Sequence, residues 1–268
     1  MSSWLHGPIK KIKPNPILKV NNTGGFFSCC SVQLDLIIEY FNKFKQLPEV
    51  VDTSDQFDWY RPGTMKTYFQ TMPTNIRYGR RIDYAQWHQY IDFRKLDYKG
   101  LKLFIDKYFM PSEEVQTIIK QIEIKYEISY DTICVLFYRG NDKATETSLS
   151  PYRDYIERAK KLLLTKPNLM FLVQSDETEF IETMVAEFPG KCIVFRDEIR
   201  HIPKSLTTVD KVFKEDNFVY SKYYLAITII MSKCAHIICG SGNCSIWIAL
   251  FRGNANGMQQ FLKTQWIQ

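Results

Sequence analysis

Four charged side chains crowd into one short segment near the middle of the chain. Arg139, Asp142, Lys143 and Glu146 fall within eight residues. An Arg presents a fixed fork of N–H donors that matches phosphate oxygens, which makes it the side chain best suited to grip a phosphate. This combination predicts a nucleotide-sugar site, in which the charged groups surround a phosphate-linked sugar.

The element that must position this segment is a buried strand. Residues 132–138 form an apolar, β-branched run that ends where Arg139 begins, and Pro151 then opens an amphipathic helix. A strand, a loop and a helix in this order are typical of open α/β sheets, where ligands bind just outside the carboxyl ends of the strands. Arg139 is therefore expected at the ligand-binding edge of a sheet.

A glycine-rich turn supplies a second candidate site. The strand predicted over 236–239 runs into a Gly-Ser-Gly-Asn turn, and a helix begins near residue 244. Glycines let the backbone approach a ligand, and the free amides at a helix start attract anions. An ordinary turn with Asn243 as helix cap is the alternative, but the turn shares a sheet edge with Arg139, which favours an anion site. Its candidate residues are Gly240, Ser241, Gly242, Asn243, Cys244 and Ser245.

A third candidate is the acid pair that follows the strand predicted over 169–174. Asp176 can accept hydrogen bonds from a nucleobase or a ribose, or it can cap the helix predicted from residue 177. Both interpretations stay open, because capping is compatible with ligand binding.

The composition describes a folded protein with a mild positive charge. The 268 residues suffice for one large domain or two small ones, and 45% apolar and 15% aromatic residues provide a sizeable core. The net charge of +6 is spread as single residues, apart from one cluster at residues 10–13. This pattern favours small anionic ligands or plain solubility over a nucleic-acid surface.

Cysteine usage and hydropathy indicate a cytosolic protein. The seven cysteines lack C-x-x-C spacing, so no zinc site or redox motif is indicated, and they are expected to be buried thiols in a reducing compartment. The first 20 residues hold no apolar signal segment. The longest apolar run, 223–231, is about half of what a membrane span needs. We therefore expect a cytoplasmic protein without a membrane span.

The second half of the chain alternates regularly between strands and helices. Such alternation predicts a parallel, doubly wound sheet. The predicted strands are 132–138, 169–174, 192–195 and 236–239, and the predicted helices are 151–165, 177–187, 221–233 and one from about 244, with a loop from 195 to about 219.

The first half begins with a pattern that predicts an α/β domain. Residues 1–20 carry three prolines and several lysines and look like a loosely held arm. A helix with periodic apolar residues is predicted from Ser28 until Pro48 ends it, and residues 49–52 form a short strand.

An aromatic stretch and a helical stretch complete the first half. Residues 53–100 are either irregular structure packed by aromatic side chains or a cleft wall on which sugars stack. Residues 101–128 are predicted to be helical, with Ser112 as a cap. The change of pattern divides the chain into an N-terminal α/β domain, 1–128, and a C-terminal Rossmann-like domain, 129–268.

The charged segment resembles a motif of a known family. Arg-x-x-Asp-Lys, a following Glu and a Pro-led helix are similar to the first motif of the α1,6-fucosyltransferases and of the related nodulation and protein O-fucosyltransferases. The residues that carry this motif are Arg139, Asp142, Lys143, Glu146 and Pro151. Shorter matches lie at Gly24 and Gly25, at residues 175–177 and at the turn 239–245.

The resemblance implies a fold and an activity. The fold is GT-B, in which two Rossmann-like domains face a cleft, with the first domain on the acceptor side. The activity is an inverting transfer of L-fucose from GDP-fucose to a hydroxyl of a glycan or glycoconjugate. The resemblance implies neither a metal ion nor a bound cofactor.

The resemblance also implies a role for each matching residue. Arg139 would hold the β-phosphate, Asp142 would orient Arg139, and Lys143 would lie near the phosphates or the acceptor. Glu146 would be the base that activates the acceptor hydroxyl. Asp176 would meet the nucleotide base. The diphosphate would be cradled by Ser241 to Ser245, and Gly24 and Gly25 would also bind the donor.

Two departures from the family pattern keep alternatives open. Phe137 stands where the family has a His associated with the nucleotide base. One alternative to GDP-fucose is therefore a UDP- or TDP-linked donor, and one alternative to an enzyme is an inactive protein that binds a nucleotide sugar or a glycan. The spacing from Lys143 to Glu146 is one residue shorter than in the α1,6 enzymes, which makes Asp154 and Glu157 alternative bases. A dinucleotide-binding protein is disfavoured, because the late glycine turn lacks G-x-G-x-x-G spacing.

Overall fold

The structure is a computed structural model that describes residues 15–73 and 76–268. The basic cluster at residues 10–13 and most of the predicted N-terminal arm therefore lie outside the described residues.

A mixed six-stranded sheet forms the centre of the second half. Its strand order is β10-β9-β8-β5-β6-β7, and all neighbours are parallel except the outermost pair, β10 and β9. The strands are β5 (Ile133–Tyr138), β6 (Met170–Ser175), β7 (Cys192–Ile193), β8 (His236–Gly240), β9 (Met258–Leu262) and β10 (Gln265–Ile267). The prediction of an α/β fold is confirmed. The prediction of a purely parallel sheet was wrong at one edge, where β10 runs antiparallel to β9.

The difference comes from the end of the chain. The last predicted helix ends at Arg252, and Gly253 follows in the left-handed conformation with φ of 73°. Two further strands, β9 and β10, then extend the sheet, the second running antiparallel to the first. The sequence analysis did not predict these two strands, because β9 gains its pairing only beside β8 and β10 only beside β9.

The first half contains two small sheets. The strand β1 (Ile17–Asn22) pairs in parallel with β2 (Val50–Gln56), and β3 (Phe69–Gln70) pairs antiparallel with β4 (Met110–Pro111). The start of β1 lies in the stretch predicted as a loose arm. That prediction was wrong from Ile17 onward, because pairing with β2 orders a segment whose own sequence is weakly apolar.

Helices connect and flank the sheets. The described helices are α1 (Phe26–Phe44), α2 (Met65–Tyr68), α3 (Tyr98–Tyr108), α4 (Glu113–Lys125), α5 (Tyr152–Thr165), α6 (Thr178–Glu187), α7 (Val209–Val212), α8 (Asn217–Lys233) and α9 (Asn243–Arg252). The helical stretch predicted over 101–128 is two helices separated by β4. Ser112 caps the second of them, as predicted, by accepting a hydrogen bond from the amide of Val115.

Buried aromatic contacts join the two halves. The ring of Trp247 on α9 is fully buried and packs on Phe27 and Phe109 from the first half. The hydroxyls of Tyr68 and Ser221 are hydrogen-bonded at 2.8 Å across the same region. Removing a buried aromatic ring of this size costs about 3–5 kcal/mol of stability, so these contacts matter to the whole molecule. The domain boundary near residue 128 stays a prediction.

Candidate active site

A cavity of about 300 Å³ opens at the carboxyl ends of β5 and β8. Residues of both halves of the chain line it. The predicted site residues among them are Gly25, Arg139, Asp142, Lys143, Glu146, Gly242, Asn243, Cys244 and Ser245. The cavity therefore brings together three segments that are far apart in the sequence, as expected for the edge of an open α/β sheet.

Arg139 is held at this edge by two carboxylates. Its guanidinium donates to Asp142 at 3.1 Å, and its Nε lies 3.0 Å from Asp176 Oδ2. The other oxygen of Asp176 accepts a hydrogen bond from the amide of Gly140 at 2.9 Å. Asp176 does not line this cavity; it lies beside Arg139 and lines a smaller cavity that Arg139 shares.

The loop after Arg139 has a conformation that its sequence dictates. The backbone of Gly140 passes so close to Glu177 that a Cβ atom would lie 1.9 Å from a carboxylate oxygen. Asn141 adopts a left-handed φ of 45°, its amide donates to Glu177, and its side chain donates to the carbonyl of Asp176 at 2.7 Å. The acid pair after β6 thus shapes the loop that presents the charged segment.

Lys143, Glu146 and Tyr90 form a hydrogen-bonded trio at the cavity. Lys143 Nζ lies 2.5 Å from Glu146 Oε2, and Tyr90 donates to the same oxygen at 2.8 Å. Burial raises the pKa of the Glu146 carboxyl, but the hydrogen bonds and charge of Lys143 and the hydrogen bond of Tyr90 outweigh it, so the pKa lies below its usual value. Glu146 is therefore an ionised carboxylate at neutral pH.

Asp142 is a second carboxylate in the same cavity, and its pKa is raised, whereas that of Glu146 is lowered. Burial raises its pKa, and the negative charges of Asp176 and Glu146 add to the increase, against the opposing charge of Arg139. The resemblance implied only that Asp142 orients Arg139. Its position on the cavity wall, which only the folded chain shows, gives the cavity a second carboxylate in addition to Glu146.

The N-termini of two helices meet at the cavity. Gly242 precedes α9 and Gly25 precedes α1, and neither glycine has a side chain to cap its helix. The first amide of α1, that of Phe26, donates to the hydroxyl of Tyr60 at 2.8 Å. The first amides of a helix lack intrahelical partners and carry the positive end of its dipole, so they attract anions. Gly242 has a φ of 155°, and a Cβ there would lie 3.1 Å from Lys143 Cε, so the turn also makes room for that side chain.

Asn243 does not cap α9. It is the first residue of the helix, and Gly242 holds the cap position. The side chain of Asn243 accepts a hydrogen bond from Ser31 at 2.9 Å, and the same hydroxyl accepts one from the indole of Trp247. The capping interpretation was therefore wrong, because a partner from α1 occupies the amide.

Some predicted residues lie outside the cavity wall. The hydroxyl of Ser241 donates to the carbonyl of Phe261 at 2.8 Å and accepts from Gln260, so it serves the pairing with β9. Gly24 and Gly240 lie beside the cavity without lining it. The alternative bases also do not line it: Asp154 accepts from Ser150 and Trp266, and Glu157 pairs with Arg153.

The cavity also contains residues that the sequence did not single out. Trp59 and Tyr60 line it, which agrees with the interpretation of the aromatic stretch as a cleft wall. Tyr90 comes from the same stretch and contacts Glu146 without lining the cavity itself. Thr208 and Asp210 come from the stretch predicted as a loop from 195 to about 219, which was wrong in part, because Thr208 caps α7, Asp210 lies in it, and α8 begins at Asn217.

The fold and the cavity define a class of protein. It is an α/β protein in which Arg139 and two helix N-termini meet at the carboxyl edge of a mixed six-stranded sheet. NodZ α1,6-fucosyltransferase soaked with GDP-fucose has a similar fold, with 12% identity and a TM-score of 0.51 over 91% of this chain and 94% of that one. The same enzyme co-crystallised with GDP is 12% identical, with a TM-score of 0.53 over 94% and 97%.

The fucosyltransferase NodZ from Bradyrhizobium is likewise 12% identical, with a TM-score of 0.51 over 91% of this chain and 94% of that one. The chain thus has the fold of an α1,6-fucosyltransferase along most of its length, and the resemblance that the charged motif predicted is confirmed at the level of the fold. No protein-family model and no curated protein matches the sequence.

In residues 15–73 and 76–268, no helix has the length and apolarity that crossing a membrane requires. The same residues contain no group of three His, Cys, Asp or Glu side chains placed to hold a metal ion.

Proposed function

We propose that this protein is an inverting, metal-independent glycosyltransferase that moves L-fucose from GDP-fucose to a hydroxyl of a glycan or glycoconjugate. The cavity would be the cleft between two GT-B domains, with the acceptor on the side of the first half. The observation that carries the proposal is the convergence of Arg139 with the N-termini of α1 and α9 beside an ionised Glu146.

The first requirement of such a transfer is to stabilise the leaving diphosphate. As the bond between the sugar carbon and the phosphate oxygen breaks, negative charge grows on the phosphates. The Arg139 guanidinium and the free amides of two helices can meet this charge without a metal ion, because they are already oriented before the reaction. This supports the metal-independent form of the proposal.

The second requirement is a base for the acceptor. The acceptor oxygen attacks the anomeric carbon from the face opposite the leaving group, so its configuration inverts, and the hydroxyl proton passes to a carboxylate. We assign this role to Glu146, which is half-exposed at the cavity and ionised at neutral pH. Lys143 and Tyr90 hold its side chain in place.

A different nucleotide sugar is the second candidate, and one observation favours it. Phe137 is buried on β5 at the position where the resembling family has a His associated with the nucleotide base. A UDP- or TDP-linked donor would leave the roles of the phosphate-binding residues and of the general base unchanged.

Assignment to the cytoplasm is part of the same proposal and is supported by seven cysteines that are all free thiols.

The test is a binding and transfer experiment. Thermal shifts would be recorded with GDP, UDP, TDP, CMP and their sugar conjugates, with magnesium and with a chelator, because ligands of the folded state raise its stability. A shift with GDP and GDP-fucose that survives the chelator supports the proposal, and a shift with UDP or TDP alone supports the second candidate. Incubation with an oligosaccharide panel then tests transfer, and NMR of the product tests inversion.

Matched variants make the experiment specific. Arg139→Ala is expected to abolish the shift, whereas Arg153→Ala, which removes an exposed Arg paired with Glu157, is expected to keep it. Binding without transfer to any acceptor would indicate an inactive nucleotide-sugar-binding protein. The absence of any shift would overturn the proposed function.

A further inference from the structure

A hydrogen-bonded chain of three side chains links α1 to α9 beside the larger cavity. It runs from Trp247 through Ser31 to Asn243. We propose that Ser31 is a positioning residue of the site that binds the donor diphosphate, because it orients the Asn243 amide so that the N–H donors of the amide face the phosphates. This inference rests on the proposed function and deepens it, because it assigns a residue on α1 of the first half to the donor site.

The direction of the hydrogen bonds in this chain follows from the chemistry of its members. The indole of Trp247 can only donate, and its Nε1 lies 2.9 Å from the Ser31 oxygen. The Ser31 oxygen is therefore the acceptor of that bond. The single proton of the hydroxyl is donated to Asn243 Oδ1, also at 2.9 Å. The amide of Asn243 is thus held with its oxygen toward α1.

The nitrogen of the same amide remains open to a ligand. Asn243 lines the larger cavity and is only partly buried. Among the described residues, Asn243 Nδ2 has no hydrogen-bond partner, and it is not one of the buried side-chain atoms that lack a partner, so solvent reaches it. An amide nitrogen carries two N–H donors. These donors can bond to phosphate oxygens on the same wall as Arg139.

The orientation of this amide decides whether it attracts or repels an anion. With its oxygen held by Ser31, the amide presents N–H donors to the cavity. If the amide were turned over, its oxygen would face the phosphate oxygens, and two acceptors would meet without a proton between them. Leaving polar groups unpaired in this way costs as much as losing a hydrogen bond or more. The hydroxyl of Ser31 therefore favours the orientation that binds an anion.

The two side chains behind the amide are firmly placed. Ser31 is 1% exposed, and the indole of Trp247 is fully buried and packs on Phe27 and Phe109. The Asn243 amide is therefore oriented before a ligand arrives. A donor that is already oriented loses less conformational entropy when the ligand binds, which increases affinity.

The experiment measures the dissociation constants of inorganic pyrophosphate, GDP and UDP by calorimetry. Ser31→Ala removes the proton that holds the amide and should weaken pyrophosphate binding about tenfold, which corresponds to ~1.4 kcal/mol. In an Asn243→Ala background the same change should cause no further loss, because Ser31 acts through that amide. A further loss of similar size in that background would overturn the inference.

A second variant tests the orientation of the donors without weakening the helix. Asn243→Asp keeps an acceptor for Ser31, and a carboxylate in the first turn of α9 interacts favourably with the helix dipole. The melting temperature should therefore be retained. Pyrophosphate binding should nevertheless weaken about tenfold or more, since a second oxygen replaces the N–H donors. Affinity equal to that of the wild type would overturn the inference.

Ser221 offers a matched control. It is also 1% exposed, and its hydroxyl also joins the two halves of the chain, through the hydrogen bond of 2.8 Å with Tyr68. It does not line the cavity. Ser221→Ala should leave all three dissociation constants unchanged. An equal loss of affinity in Ser221→Ala and Ser31→Ala would indicate a general loosening between the halves and would overturn the specific role of Ser31.

The same measurements separate this inference from the proposed function. If the wild type binds pyrophosphate and a nucleotide, and Ser31→Ala binds them equally well, the role of Ser31 is refuted and the phosphate site stands. If the wild type binds none of the three ligands, the proposed function fails, and the inference fails with it.

Discussion

Tyr90 donates a hydrogen bond of 2.8 Å to Glu146, although the two residues lie 56 positions apart in the chain. Tyr90 ends a short 3-10 helix of the first half, and Glu146 belongs to the charged loop after β5. The contact therefore ties the first half of the chain to the side chain that we assign as the base.

Replacing Glu146 by Gln should lower the transfer rate by about 10²-fold or more, because a positioned general base contributes on this scale. Donor affinity should stay within a few-fold of wild type, since Arg139 and the helix amides remain. Single-turnover rates and GDP titrations measure the two quantities separately. Asp142→Asn is the comparison: a larger rate loss there, with Glu146→Gln still active, would transfer the role of base to Asp142.

Replacing Tyr90 by Phe should move the acidic limb of the pH–rate profile to higher pH. In the native protein the pKa of Glu146 lies below its usual value partly because of the hydrogen bond from Tyr90, so losing that bond raises the pKa. The base must be ionised to act, and activity would thus be lost at a higher pH as the solution is acidified. Profiles of kcat/KM from acid to neutral pH would reveal the shift.

The control for that experiment is Tyr40→Phe. The Tyr40 hydroxyl donates to the carbonyl of Asn15, and neither residue lines the cavity. Its profile should match wild type. If Tyr90→Phe gave the same profile as wild type, the hydrogen bond to Glu146 would have no role in setting the base.

Replacing Arg139 by Ala should weaken donor binding and reduce turnover together, by about 10²–10³-fold in kcat/KM. Arg139→Lys should recover only part of the loss, because an ammonium group cannot reproduce the fork of donors. Turnover within a few-fold of wild type in the alanine variant would remove Arg139 from the site. Circular dichroism checks that both variants fold.

Replacing Gly140 by Ala should destabilise the fold by about 1–3 kcal/mol, since a Cβ would overlap the Glu177 carboxylate and force the loop to move. Activity should fall as well, because the same loop carries Arg139 and Lys143. Urea denaturation measures the first effect. Gly79→Ala is the control, as a Cβ there has no atom within 4 Å. Equal stability of the two variants would contradict the proposed tight packing.

Much of the C-terminal half could be predicted from the sequence because its signals are local. The strand β5 is buried at every residue, so its apolar run stands out, and the helices that follow have clear periodicity or caps. Arg139 and the glycine turn were placed at one sheet edge by the same reasoning. Strands at the carboxyl edge of an open sheet bring such residues together whatever lies between them.

The tertiary structure alone decided the rest. Three short strands form only by pairing with neighbouring strands: β9, β10 and the start of β1. Their short sequences have no pattern that predicts this pairing. Most hydrogen-bond partners of the site residues lie 20 or more positions away in the chain: Tyr90 for Glu146, Ser31 for Asn243 and Phe261 for Ser241. Lys143, which bonds to Glu146, and Gln260, which bonds to Ser241, are nearer in the sequence. The sequence by itself determined which residue types meet at the sheet edge, because strand and helix periodicity are local, whereas the pKa and hydrogen-bond partners of those residues depend on contacts that exist only after folding.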